Sequence, residues 1–66
     1  MDMKTFIKTF DKLERNRVAE AAGTTDAYLF QIAGKHRKPS ARLARDLEKA
    51  TNGLLTRVEL RPDLFS

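Results

Sequence analysis

Apolar side chains recur along this chain at helical rather than strand spacing. Phe6, Ile7, Phe10 and Leu13 stand at i, i+1, i+4 and i+7, one stripe, while Lys4, Lys8, Asp11 and Lys12 face away from it. The pattern predicts a first helix over Met3–Leu13, with Asp2 as N-cap and the stripe in the core. Glu14–Asn16 read as a short connection, and Asn16 as the N-cap of a second helix over Arg17–Ala22. Small residues (Ala19, Ala21, Ala22) let another backbone approach that helix closely. Gly23 supplies the left-handed conformation that ends it at low steric cost.

Thr25 is the expected N-cap of a third helix, Asp26–Ala33, which Gly34 stops. Leu29 and Ile32 are its i, i+3 core pair. Asp26, Ala27, Phe30 and Gln31 then fall on the open side, with Tyr28 at the margin. Pro39 and Ser40 open a fourth helix, capped by Ser40 and running to about Thr51, with Leu43, Ala44, Leu47 and Ala50 as its buried stripe. Asn52-Gly53 is a stop signal. In the tail, Thr56 and Glu59 fit the S/T-x-x-E capping box, which predicts a short helix ending near Arg61-Pro62. The alternation of Thr56, Val58 and Leu60 also suits a strand. A helix is favoured over a β-hairpin because the capping signal is the more specific. The fold class is therefore all-α, a compact bundle of about five short helices, and residues 1–66 are expected to form one domain.

Composition narrows the chemistry. A chain of 66 residues buries only about 60% of its unfolded surface, so stability is marginal unless it oligomerises. There is no cysteine and a single histidine, so neither disulfides nor a metal site are expected. No apolar run reaches the roughly 18 residues of a membrane span, and no signal-peptide pattern precedes the helices. The expected location is the cytoplasm of a bacterial cell, at the nucleoid. Catalysis is discounted: no acid–base pair stands beside His36, and no glycine loop is built to cradle phosphate. No cofactor is expected.

Charge then singles out one region. Lys35, Arg37, Lys38, Arg42 and Arg45 carry +5 within eleven residues that contain no acid, leaving eight basic and nine acidic residues elsewhere. The net charge of +4 is thus one local patch, which points to an anionic partner. It follows a helix pair hinged at Gly23 whose second member has a free outer face, the arrangement that enters the DNA major groove.

Gly23, with Val18, Ala19 and Ala22 before it and Leu29 and Ile32 after it, resembles the helix-turn-helix of phage Cro and repressor proteins. The run YLFQIAGKHRKPSARLARDLEKATNG, followed by LTRVELRPDLF, is similar to the small Cro-like regulators of bacterial prophages. That group includes the YdaS-type proteins regarded as antitoxins. The resemblance covers nearly the whole chain after Arg15. It implies a lambda-repressor-like fold and a transcriptional repressor that reads double-stranded operator DNA as a dimer. Carried over by position, the base-reading residues are Asp26, Ala27, Phe30 and Gln31, with Thr25 close to the backbone. Family members often carry a small polar residue at the position of Phe30 and glutamine or serine at that of Asp26, so base preferences do not transfer.

The residues themselves leave some roles open. Gln31 suits paired hydrogen bonds to adenine, or is an ordinary exposed polar residue. Phe30 contacts a thymine methyl, or a rotated helix buries it. Asp26 accepts from cytosine, repels wrong registers, or stabilises the positive end of its own helix. Ala27 touches a thymine methyl or simply permits close approach. Tyr28 turns its hydroxyl to a phosphate or packs on the core. Lys35, His36, Arg37 and Lys38 are expected on the sugar–phosphate wall, with Ser40 and the first amides of the fourth helix, and Arg42 reaching the same strand. Arg17 and Thr24 are placed on the opposite wall, and Arg45 too far away. Leu54, Leu55, Val58, Leu60, Leu64 and Phe65 exceed what a terminal segment needs and are the dimerisation candidates, for a homodimer expected to be weak. The reading from another class is an antitoxin-like protein-interaction module with secondary DNA binding, whose toxin partner the sequence does not identify.

Overall fold

Five side chains start five helices in the same way. Asp2 accepts from the Thr5 amide (2.8 Å), Asp11 from Glu14 (2.9 Å), Thr25 from Tyr28 (3.2 Å), Ser40 from Leu43 (3.1 Å) and Thr56 from Glu59 (3.2 Å). Each satisfies an amide that the first turn leaves without a carbonyl partner. In the computed structural model, which describes residues 1–65, the helices are α1 (Met3–Thr9), α2 (Lys12–Ala21), α3 (Asp26–Ala33), α4 (Ala41–Ala50) and α5 (Arg57–Leu60). The described residues form no strand, so the tail takes the helical alternative.

The first helix is shorter than the apolar spacing predicts. It ends at Thr9; Phe10 is extended, and Asp11 rather than Asn16 caps the next helix. Glu14–Asn16, expected as a connection, lie inside α2. The chain breaks here because Asp11 and Glu14 form a local cap, while Phe10 still packs its ring on Phe6 with centroids 4.9 Å apart. Leu13 then turns outward and is 81% exposed, leaving the stripe to which its spacing assigned it.

The core gathers Phe6 from α1, Val18 and Ala19 from α2, Leu29 and Ile32 from α3, Leu47 from α4 and Leu55 from the tail. α3 packs on both α1 and α2, and α4 on α2 and α5. Between α2 and α3, Gly23 adopts φ +79°. Its amide donates to Glu20 O (3.1 Å), and the Thr24 amide donates to Ala19 O (2.8 Å). This pair of bonds closes α2 and turns the chain sharply into α3. Thr51 manages the exit from α4. Its buried hydroxyl donates to Leu47 O (2.8 Å) and accepts from the Leu55 amide (3.0 Å), drawing fully buried Leu55 inward.

At the end of α3 the left-handed residue is Lys35, φ +62°, rather than Gly34, which stays near helical geometry. Lys35 therefore carries backbone strain that a glycine would not. We predict that Gly23→Ala destabilises the fold by about 1 kcal/mol. An added Cβ meets no atom within 4 Å, so the loss is conformational. Lys35→Gly should stabilise by up to about 1 kcal/mol. Urea denaturation of both variants checks the opposite signs.

Candidate nucleic-acid interface

The third helix divides its faces cleanly. Leu29 and Ile32 are buried, Tyr28 packs at the core margin, and Ala27, Phe30 and Gln31 are exposed. Eight residues make a rod about 12 Å long, matched to the roughly 12 Å width of a B-DNA major groove. Phe30, 49% exposed, takes the outward of its two expected positions. Asp26 does not stand free. Its carboxylate accepts from Arg15 Nε (2.9 Å) and Nη2 (3.4 Å), and only 16% of its side chain is exposed.

Directly after α3 the chain curls back on the helix end. The amides of Lys35, His36 and Arg37 donate to the carbonyls of Ile32 (3.0 Å), Gln31 (2.9 Å) and Gln31 again (3.3 Å). These bonds satisfy last-turn carbonyls and fix where the basic segment leaves the helix. Lys35, His36, Arg37 and Lys38 are all exposed, and none enters an ion pair among the described residues. Lys4, Lys8, Lys12 and Lys49 likewise enter none, whereas the arginines outside the loop are engaged. Arg42 Nε lies 3.7 Å from Asp46, Arg17 pairs with Glu14, and Arg45 lies over the Phe65 ring at 5.8 Å. Arg17 thus has a local partner on its own helix, whose carboxyl it holds below the usual range by direct hydrogen bonding.

Thr24, Tyr28, Ser40 and Arg42, widely spaced in the chain, line one open trough where the α2–α3 turn faces the start of α4. Thr24, expected on the opposite wall from Ser40 and Arg42, thus shares one trough with both, and Asp46 lines it as well. The hydroxyl oxygens of Thr25 and Ser40 accept as caps, which leaves each O–H able to donate beside the amide ends of α3 and α4.

The tail braces the basic loop from behind. Arg61 Nη1 donates to the Pro39 carbonyl (2.7 Å), and its Nε and Nη2 donate to the two Asp63 oxygens (2.9 and 2.8 Å). Pro39 is fully buried, so the residue after Lys38 is fixed from both sides. Of the dimerisation candidates, Leu55 is wholly core and Leu60 packs against the core, both spent on folding the monomer. Phe65 is half-buried, with the Arg57 and Arg45 guanidinium groups over its ring. Leu54, Val58 and Leu64 stay exposed.

Sequence reasoning missed Arg15 and Arg61. Each joins segments far apart in the chain, and neither carries a periodic or capping signal. No group of His, Cys, Asp or Glu among the described residues could hold a metal, and no helix is long and apolar enough to cross a membrane.

Comparison with known proteins bears on this surface. Residues 14–66 match the family model described as bacterial toxin YdaS. A prophage transcriptional regulatory protein of Escherichia coli (strain K12) is 33% identical over 63 residues, covering 96% of each chain. The family description names a toxin, where the sequence resemblance led to antitoxins.

The Arg61 brace yields a titration. Hydrogen bonding to Arg61, aided by the nearby Lys38 charge, lowers the Asp63 pKa from 3.8 to about 2. A depressed carboxylate contributes its stability above its unfolded value, and that contribution fades as pH falls from about 4 through 2. The Asp63 carboxyl carbon resonance should titrate with a midpoint of about 2, returning toward 3.8 in Arg61→Gln. A wild-type midpoint near 3.8 would show that the brace does not form in solution.

Proposed function

We propose that this chain, which belongs to the family described as bacterial toxin YdaS, is a transcriptional regulator that binds operator DNA through the α3 face and the Lys35–Lys38 loop. The observation that carries the reading is the pairing of those two features. A basic segment without internal ion pairs is hydrogen-bonded onto the end of a helix whose outer face is exposed and uncharged. Phosphate contacts supply affinity and register, and base edges supply sequence, so a DNA reader needs both in fixed relation. The 33% identical relative, named a prophage transcriptional regulatory protein, supports the same assignment.

In this reading Ala27, Phe30 and Gln31 enter the major groove, and Lys35, His36, Arg37 and Lys38 lie on one phosphate wall. Thr24, Tyr28, Ser40 and Arg42 face a neighbouring stretch of backbone from their trough. The chain acts as one DNA-binding unit by binding rather than catalysis, at the bacterial nucleoid, without a cofactor. A Cro-type repressor binds as a dimer whose reading helices lie about one DNA turn, roughly 34 Å, apart. Leu54, Val58 and Leu64 are the apolar groups left for that contact once the core has taken Leu55 and Leu60.

A protein partner is the second reading, favoured by the family's description as a toxin and by the same three exposed side chains. Charge reversal separates the two. Four phosphate contacts per subunit give a dimer a slope of log K against log salt of about −7. Arg37→Glu with Lys38→Glu should reduce operator affinity to background and flatten the slope, with folding intact because both side chains are exposed. Selection from randomised duplexes should return a symmetric consensus. Failure to enrich any sequence, with binding indifferent to the double reversal, overturns DNA recognition in favour of the protein partner.

A further inference from the structure

Arg15 makes the same fork as Arg61, two nitrogens to one carboxylate and the third to a backbone carbonyl, but it does so at the edge of α3 and beneath an aromatic ring. From α2 it reaches across to α3, donating from Nε and Nη2 to Asp26 and from Nη1 to the Phe10 carbonyl (2.9 Å). Its guanidinium carbon lies 5.2 Å from the Phe30 ring centroid. Only 14% of its side chain is exposed, although its partners Asp26 and Phe30 border the outward face of α3. Asp26 and Phe30 are i and i+4 on that helix, one above the other, with Ala27 and Gln31 beside them. One guanidinium therefore holds one edge of the face that the proposed function assigns to the groove.

We infer that Arg15 is a specificity-determining positioning residue, which masks the Asp26 carboxylate and steadies Phe30 so that the reading edge of α3 is charge-neutral. The inference rests on the DNA-binding reading above. An uncovered carboxylate at the front of a recognition helix would meet a polyanion and repel it at every sequence. An uncovered guanidinium there would attract phosphate at every sequence and erode discrimination. The pair cancels both effects. Non-specific attraction is then confined to the Lys35–Lys38 loop, while shape and hydrogen bonding decide on α3. The cation over Phe30 also covers part of the ring, which limits the rotamers the other half can present to a base.

This assignment makes opposite predictions for the two partners. Asp26→Asn uncovers Arg15: binding to a random-sequence duplex should tighten, the salt slope should steepen by about 0.9 per subunit, and the ratio of specific to random affinity should fall. Arg15→Gln uncovers Asp26: binding to both duplexes should weaken by about tenfold and the slope should become shallower. Arg15→Gln with Asp26→Asn restores neutrality and should return the slope to the wild-type value. Arg15→Lys keeps the charge but cannot span Asp26, the Phe10 carbonyl and Phe30 together. It should keep the slope and lose discrimination.

Fluorescence anisotropy over a salt series, on the selected operator and on random duplex, reads all four variants below their melting temperatures. If Arg15 served only to hold the fold, the variants would share the wild-type slope and lose affinity in step with their folded fraction. That result overturns the inference. Asp26→Asn, nearly isosteric, keeps the test decisive should Arg15→Gln fail to fold. A wild-type chain that binds neither duplex would instead refute the DNA-binding reading. Wild-type binding that is lost on Arg37→Glu with Lys38→Glu, yet has an unchanged slope in Asp26→Asn, refutes the role of Arg15 alone.

Discussion

The structure depends on the corner at Gly23. α3 must bury Leu29 and Ile32 against Val18 and Ala19 and still leave Ala27, Phe30 and Gln31 uncovered. That is possible only if α2 ends abruptly and the chain reverses within a few residues. The left-handed φ of Gly23 and the bonds to Glu20 and Ala19 achieve the reversal. Thr25 then starts α3 at once, so the rotation of the helix about its own axis follows from where the turn ends. The outward position of Phe30 inherits this constraint, because rotating α3 by one residue, about 100°, would exchange it for a core position.

A small core needs help to hold such an arrangement, and the tail supplies it. Leu55 completes the hydrophobic cluster from the far end of the chain, and Thr51 satisfies its amide. Arg61 then ties the tail to Pro39, at the foot of the basic loop. Met1 approaches the same tail from the other end, its ammonium 2.9 Å from Glu59, whose carboxyl it holds below the usual range. The tail from Leu54 to Phe65 is thus part of the framework that positions the loop. Among its described residues Leu54, Val58 and Leu64 are the large apolar groups that remain exposed.

Local signals in the sequence were legible where the physics is local. Asp2, Thr25, Ser40 and Thr56 all cap the helices expected of them, and the corner falls on Gly23. The break between α1 and α2 at Phe10 has a local cause that spacing does not register. The spacing of Phe6, Ile7, Phe10 and Leu13 continues unbroken through a point where Asp11 starts a new helix. Periodicity registers which residues are apolar, but a cap decides where the backbone changes direction. Likewise, counting apolar residues in the tail found an excess without separating Leu55, which the core takes, from Leu54 beside it. Arg15 and Arg61 were beyond such reasoning, because their partners lie 11 and 22 positions away.

Lys35 shows how the two kinds of information meet. The glycine before it is the expected stop of α3, and the left-handed residue is Lys35. What glycine provides there is space, since an added Cβ would lie 2.9 Å from the His36 ring. The helix runs one residue further before reversing, and a lysine takes φ +62°. Three consecutive amides then bond to the end of α3, and the Lys35, His36 and Arg37 side chains leave the backbone at angles set by that curl. A looser loop would carry the same charge, but it would have to be ordered whenever it met a phosphate, at the expense of affinity. Strain at one lysine is therefore the counterpart of order in the whole basic segment. That order gives the charge a fixed position relative to Ala27, Phe30 and Gln31.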